Sequence, residues 1–167
     1  MRILPLHLPF TFTLAATMAT GLVVTGCLAE RYRDELKAEI PEIDAVLSGY
    51  QGGTQIGDVI LDAVARVKAA NPAAIYACDP VMGNAKSGCF VHPDIPVLLR
   101  ERVVPQADLI TPNQFELGFL TETEPADLES TLASVDRARE MGPSTVLVTS
   151  VLQPDRPADT IEMLNSI

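Results

Sequence analysis

Ala107-Asp108-Leu109-Ile110-Thr111-Pro112-Asn113-Gln114-Phe115-Glu116 is the stretch on which the reading of this chain turns. A short apolar run stops at Thr-Pro-Asn and restarts with helical spacing. Ile110 closes a buried strand, Pro112 removes the next ladder donor, and Asn113 can cap a helix carrying Phe115, Glu116, Phe119 and Leu120. The stretch therefore reads as strand, elbow, helix. In an open α/β sheet such an elbow lies at the carboxyl end of a strand, where these sheets bind ligands. Glu116 is expected to point its carboxylate at that crevice.

Working outward, the same alternation recurs on both sides. Residues 44–50 give a strand, Ala45-Val46-Leu47, that breaks at Ser48-Gly49 and opens into Gln51-Gly52-Gly53-Thr54. Gly49, Gly52 and Gly53 suit either an ordinary turn or the close approach of a ligand. Thr54 can cap an amphipathic helix with Ile56, Val59, Ile60, Val64 and Val67 on one face, ending at Asn71-Pro72. Residues 74–78 form the next strand and deliver Asp79 immediately before Pro80. Residues 84–94 read as a loop and 95–102 as a helix. Leu128, Leu132, Val135 and Ala138 predict one more amphipathic helix, stopped by Gly142-Pro143. Residues 144–148 are a β-branched strand that hands over to Thr149-Ser150. The polar stretch 153–158 reads as a turn.

The amino-terminal part is different. From Ile3 to Ala29 there is no Lys, Arg, Asp or Glu, and Val24-Thr25-Gly26-Cys27 resembles the cleavage motif of bacterial lipoproteins. An exported lipoprotein anchored at Cys27 is one reading. Against it, only Arg2 supplies positive charge ahead of the apolar run, and Pro5 and Pro9 interrupt its start, so a cytoplasmic protein is expected and a membrane partner is not. We divide the chain into an apolar segment, residues 1–29, and an α/β domain, residues 30–167. The latter opens with a charged helix, residues 30–40, whose Tyr32, Leu36 and Ile40 make a stripe.

Composition narrows the function classes. Of the 167 residues, 47% are apolar and 20% charged, the balance of a globular domain. A net charge of −10 removes nucleic-acid backbone as a partner, because phosphate binding needs clustered Lys and Arg. Cys27, Cys78 and Cys89 make no disulfide framework, and His7 and His92 lie far from metal-ligand spacing. No structural metal site is expected.

The alternation of strand and helix argues for parallel βαβ units with right-handed crossovers, hence an α/β layered sheet. Its strand ends present Gly49-Tyr50, Asp79, Thr111 with Glu116, and Thr149-Ser150. Carboxylates beside hydroxyls suit a hydrated Mg²⁺ carrying nucleotide phosphates. No Gly-x-x-x-x-Gly-Lys-Ser/Thr and no Gly-x-Gly-x-x-Gly is present, which excludes a P-loop enzyme and a dinucleotide-binding Rossmann domain.

Leu47-Ser48-Gly49-Tyr50, Cys78-Asp79-Pro80-Val81-Met82-Gly83, Val103-Val104-Pro105-Gln106-Ala107-Asp108 and the Thr-Pro-Asn-Gln-Phe-Glu elbow resemble, in this order and spacing, the pyridoxal kinases of the ribokinase-like superfamily. The resemblance runs over residues 44–150. It implies a three-layer parallel sheet with flanking helices and transfer of the ATP γ-phosphoryl to the 5′-hydroxyl of pyridoxal, pyridoxine or pyridoxamine, with Mg²⁺ and a monovalent cation such as K⁺. It also implies a homodimer. By position it makes Asp79, Thr111, Asn113, Glu116, Thr149 and Ser150 the ATP-binding set, Asp79 and Glu116 the metal carboxylates, and Tyr50 the residue beside the pyridoxal ring. The family's first strand and lid have no copy in residues 1–24, and its Gly-x-Gly-Asp, which carries the general base, does not occur in residues 1–167. The expectation is a truncated ribokinase-like domain with no catalytic base assigned.

Overall fold

The computed structural model of the chain describes residues 21–24 as backbone, and residues 43–151 and 162–167 in full. In chain order the elements are β1 (Gly21–Val24), β2 (Ala45–Ser48), α1 (Thr54–Ala70), β3 (Ile75–Cys78), β4 (Gly83–Asn84), β5 (Gly88–Cys89) and α2 (Asp94–Leu98). They continue with β6 (Leu109–Ile110), α3 (Gln114–Thr121), α4 (Leu128–Glu140), β7 (Thr145–Val151) and β8 (Glu162–Ser166). Helix α2 runs on through a wide turn, Leu99–Val103, and a tight one, Val104–Gln106, so this helical stretch ends four residues later than the spacing predicts.

Among the described residues the main sheet has the order β1-β2-β3-β6-β7-β8. The first five strands are parallel, as the βαβ pattern requires, and β8 returns antiparallel to β7. Register puts Val46 beside Tyr76, Ser48 beside Cys78, Cys78 beside Ile110, and Ile110 beside Val146, so these residues share one face. All of them are buried, and they form one core with Ile60, Val64 and Val67 of α1, Leu117 and Leu120 of α3, and Val135 and Ala138 of α4. Asp108 ties the sheet at its amino edge. Its carboxylate accepts the Tyr76 N–H at 2.7 Å and faces the Lys68 ammonium at 2.7 Å.

Several sequence expectations are corrected. The last parallel strand does not stop at residue 148 but extends to Val151, so Thr149 and Ser150 lie inside it. Pairing with β8 is irregular between Val148 and Val151, and Ser150 takes a left-handed φ of 53°, which lets a strand bend without ending. Residues 84–94 are not a plain loop, because β4 and β5 pair there as a short hairpin. Gly83 makes that hairpin possible: a Cβ would sit 2.2 Å from the Gly88 carbonyl oxygen. Thr54 does not cap α1. Gly53 holds the N-cap position and Thr54 is the first helical residue. Helix α4 is rotated from the predicted stripe. Leu128 and Leu132 are exposed, while Thr131 and Ser134 are buried with Val135 and Ala138. Glu162–Ser166 add β8 to the sheet as an edge strand bonded to β7. The predicted helix 30–40, Cys27 and the turn 153–158 lie outside the described residues.

Candidate active site

The carboxyl ends of the parallel strands are joined by backbone hydrogen bonds that bring the sequence candidates onto one edge. The Asp79 N–H donates to Ser48 O at 2.8 Å, the Thr111 N–H to Cys78 O at 3.0 Å, and the Thr149 N–H to Pro112 O at 2.9 Å. Asn113 and Thr149 are bridged as parallel neighbours. Each loop thus starts where the neighbouring strand ends, which is how a parallel sheet builds a ligand edge.

Asn113 and Glu116 fasten the elbow. Asn113 Oδ1 accepts the Glu116 N–H at 2.9 Å, and Glu116 Oε2 accepts the Asn113 N–H at 2.9 Å, the reciprocal capping box that its Asn-x-x-Glu spacing allows. Both side chains also reach across to the loop after β3. Glu116 Oε1 accepts the N–H groups of Met82 at 2.9 Å and Gly83 at 3.3 Å, and Asn113 Nδ2 donates to Gly83 O at 2.8 Å. The Glu116 carboxylate is therefore aimed at backbone amides and is 4% exposed, which corrects the expectation that it faces an open crevice.

Asp79 is held differently. It is half-buried, and burial pushes its pKa above the ordinary carboxylate value, opposed by a hydrogen bond from the Thr111 hydroxyl. Burial also raises the pKa of Glu116, against the lowering effect of its three backbone donors, and the nearby Asp79 charge adds to the rise. Among the described residues no basic side chain pairs with either acid. Behind them Cys78 is wholly buried, its thiol pushed up to about 11 by burial, and the Ser48 hydroxyl meets the Tyr76 hydroxyl at 2.8 Å. This polar cluster is internal.

A metal can be tested against that donor set. Asp79 is a partly desolvated acid with a hydroxyl beside it and, among the described residues, no cationic partner, which is the environment a hard cation relieves. No group of three or more His, Cys, Asp or Glu side chains is assembled among the described residues. The fit is therefore to Mg²⁺ held by one or two carboxylates, water and substrate phosphate, and not to an all-protein cage. Asp79 could serve such an ion as a direct donor, whereas Glu116 already accepts three backbone N–H groups.

Thr149 stands beside Asn113, whereas Ser150 lies further out, exposed on the wall of an open cleft of about 960 Å³. Asn84, Lys86, Asn113, Phe115 and Phe119 line the same cleft, with the Phe115 and Phe119 rings 4.9 Å apart. Tyr50 is exposed at the end of β2 and is not part of this cleft. Sequence reasoning missed Asn84 and Lys86. Their signal was Gly83-Asn84-Ala85-Lys86-Ser87-Gly88, a turn in which Asn84 Oδ1 accepts the N–H groups of Lys86 and Ser87.

The chain belongs to the phosphomethylpyrimidine kinase family, whose model matches residues 38–164. Within it the chain is similar to pyridoxal kinases: it is 75% identical over 130 residues to that of Leifsonia xyli and 65% identical over 130 residues to that of Corynebacterium diphtheriae. Each match covers 78% of this chain and 46% of the relative, so the chain spans about half the length of those proteins. The fold is similar to that of the pyridoxal kinase of Leishmania donovani in complex with ADP and ginkgotoxin, with a TM-score of 0.67 and 27% identity over 78% of this chain and 46% of that one. The α/β architecture is thus ribokinase-like. Among the described residues no helix is long and apolar enough to cross a membrane.

Proposed function

We propose that this chain carries the nucleotide- and metal-binding edge of an ATP-dependent pyridoxal kinase, an enzyme that transfers the γ-phosphoryl of ATP to the 5′-hydroxyl of pyridoxal, pyridoxine or pyridoxamine. The observation that carries the reading is the 75% identity, over 130 residues, to the pyridoxal kinase of Leifsonia xyli. Neighbouring structures support the ligand classes: pyridoxal kinases of Leishmania donovani were solved with ADP and pyridoxamine and with ADP and pyridoxine.

Phosphoryl transfer asks a protein mainly to position the phosphates and neutralise their charge. Mg²⁺ would supply that neutralisation. Asp79 would hold it, the Thr111 hydroxyl would orient the Asp79 carboxylate, and Asn113 and Glu116 fix the loop that follows Asp79. Thr149 and Ser150 offer hydroxyls on the last parallel strand for phosphate oxygens, and Tyr50, exposed at the end of β2, is the residue we assign to the pyridoxal ring. K⁺, a homodimer and a cytoplasmic location belong to the same proposal.

The test is ATP-dependent formation of pyridoxal 5′-phosphate by the purified chain, with ATP binding in Mg²⁺ measured by calorimetry and with Asp79→Ala and Glu116→Ala as controls. Product formation lost in both variants supports the reading. Absence of nucleotide binding in the unaltered chain overturns it.

A further inference from the structure

Two basic residues, Lys86 and Arg100, stand on the wall of the open cleft that Asn113 and Ser150 share. Arg100 is committed, since its guanidinium pairs with Glu122 at 2.5 Å. Lys86 is exposed at the turn of the β4–β5 hairpin and makes no ion pair among the described residues. The only other formal charge on the wall among the described residues is the carboxylate of Glu124. Lys86 is thus the uncompensated positive charge of this cleft, in a chain whose net charge is −10.

The backbone of Lys86 is held by bonds that belong to the site. Asn84 Oδ1 accepts the N–H groups of Lys86 at 3.0 Å and Ser87 at 2.9 Å. At the base of the hairpin, Gly83 O accepts Asn113 Nδ2 at 2.8 Å, and the Gly83 N–H donates to Glu116 Oε1 at 3.3 Å. The elbow that follows β6 therefore fixes where the hairpin turn stands relative to the cleft. The flexible stem of Lys86 leaves its ammonium free to move from that fixed point.

A lone lysine on a convex surface needs no ligand, because water solvates it. Lys86 instead shares a cleft with the Phe115 and Phe119 rings, and charge in a cleft with apolar walls acts more strongly on an incoming ion than charge on open surface. A nucleoside triphosphate keeps negative charge after one Mg²⁺ is bound, and Asp79 and Glu116 add more of the same sign. The ammonium is a compact point charge of the kind that binds phosphate oxygens.

From this geometry we propose that Lys86 is a phosphate-binding residue of the nucleotide site, its ammonium meeting the phosphate chain of ATP from the hairpin side of the cleft. The identity of the ligand rests on the kinase reading; the choice of residue rests on the cleft and the hairpin.

The experiment is calorimetry of ATP in Mg²⁺ with the full 167-residue chain and with Lys86→Ala, Lys86→Glu, Lys86→Arg and Arg102→Ala. Arg102 pairs with Asp58 at 2.7 Å outside the cleft, so its removal makes the same change in net charge elsewhere. Lys86→Ala should weaken ATP binding roughly tenfold and Lys86→Glu further, whereas Lys86→Arg should stay within about threefold of the unaltered chain. Arg102→Ala should bind as the unaltered chain does. Added NaCl should weaken binding more steeply in the unaltered chain than in Lys86→Ala, because the variant has lost one screened contact. The melting temperature of Lys86→Ala should match that of the unaltered chain. Binding by Lys86→Ala within about twofold of the unaltered chain, an equal loss in Arg102→Ala, or no recovery in Lys86→Arg overturns the inference and leaves the kinase reading standing. No ATP binding by the unaltered chain overturns that reading and the inference with it.

Discussion

Glu116 and Met82 stand 34 positions apart in sequence, yet a carboxylate oxygen of the first accepts the backbone N–H of the second at 2.9 Å in a buried setting. The same carboxylate takes the N–H groups of Gly83 and Asn113. One side chain thus caps its own helix and sets the height of the loop that follows Asp79.

Removing it leaves three backbone donors unsatisfied. Glu116→Ala is expected to destabilise the chain by about 2–4 kcal/mol, since each buried unpaired donor costs roughly 1–3 kcal/mol and water recovers part of the loss. Glu116→Gln keeps one acceptor and should lose less. Urea unfolding of both variants checks the order.

Asp79 is expected to work against stability while serving the site. Its pKa is raised in the fold, so the proton is held more tightly than in the unfolded chain, and the contribution is favourable at low pH and lost as pH rises through the folded value. Asp79→Asn should therefore melt at a higher temperature than the unaltered chain at pH 7–8, with the difference vanishing as pH falls through the carboxylate range. Thermal melts across pH decide it. A variant that melts lower at neutral pH would show that Asp79 has a favourable partner in the fold.

Helix α4 offers a packing test. Val135 is 1% exposed and Leu132 44%. Val135→Ala should cost roughly 1–2 kcal/mol, from about 0.8 kcal/mol per buried methylene plus the cavity left behind. Leu132→Ala should stay within about 0.5 kcal/mol. Equal losses would mean the helix sits at the rotation its apolar spacing suggested.

The thiols should separate by reactivity. Cys78 is buried with its pKa pushed up to about 11, and Cys89 is exposed. The thiolate is the reactive form, so iodoacetamide at pH 8 should label Cys89 within minutes and Cys78 only after unfolding. Peptide mapping by mass spectrometry distinguishes them. Rapid labelling of Cys78 in the native chain would contradict its placement in the core.

The local chemistry of strand ends was legible because it is short-range. Thr111-Pro112-Asn113 breaks a strand and starts a helix by rules that act within a turn, and the Asn113 cap follows from the same residues. What Glu116 does was not legible, because its partners Met82 and Gly83 become neighbours only when β3 and β6 pair. The hydroxyl seam that turns α4 was hidden for a related reason. Thr123 and Ser134 meet at 2.8 Å, and Gln114 donates to Thr131 at 3.1 Å, so polar residues satisfied by α3 and the turn after it are buried beside Val135 and Ala138, in place of the expected Leu128 and Leu132. The end of β7 was misjudged because β8 continues its ladder past the residues that looked like a turn.

Strand order has one more consequence. Within the main sheet, among the described residues, each strand joins the edge left by the one before it, and none is inserted between two already paired. A chain threaded in this way can assemble in the direction of synthesis, each new unit finding its template complete as it leaves the ribosome, with no earlier pairing to be undone.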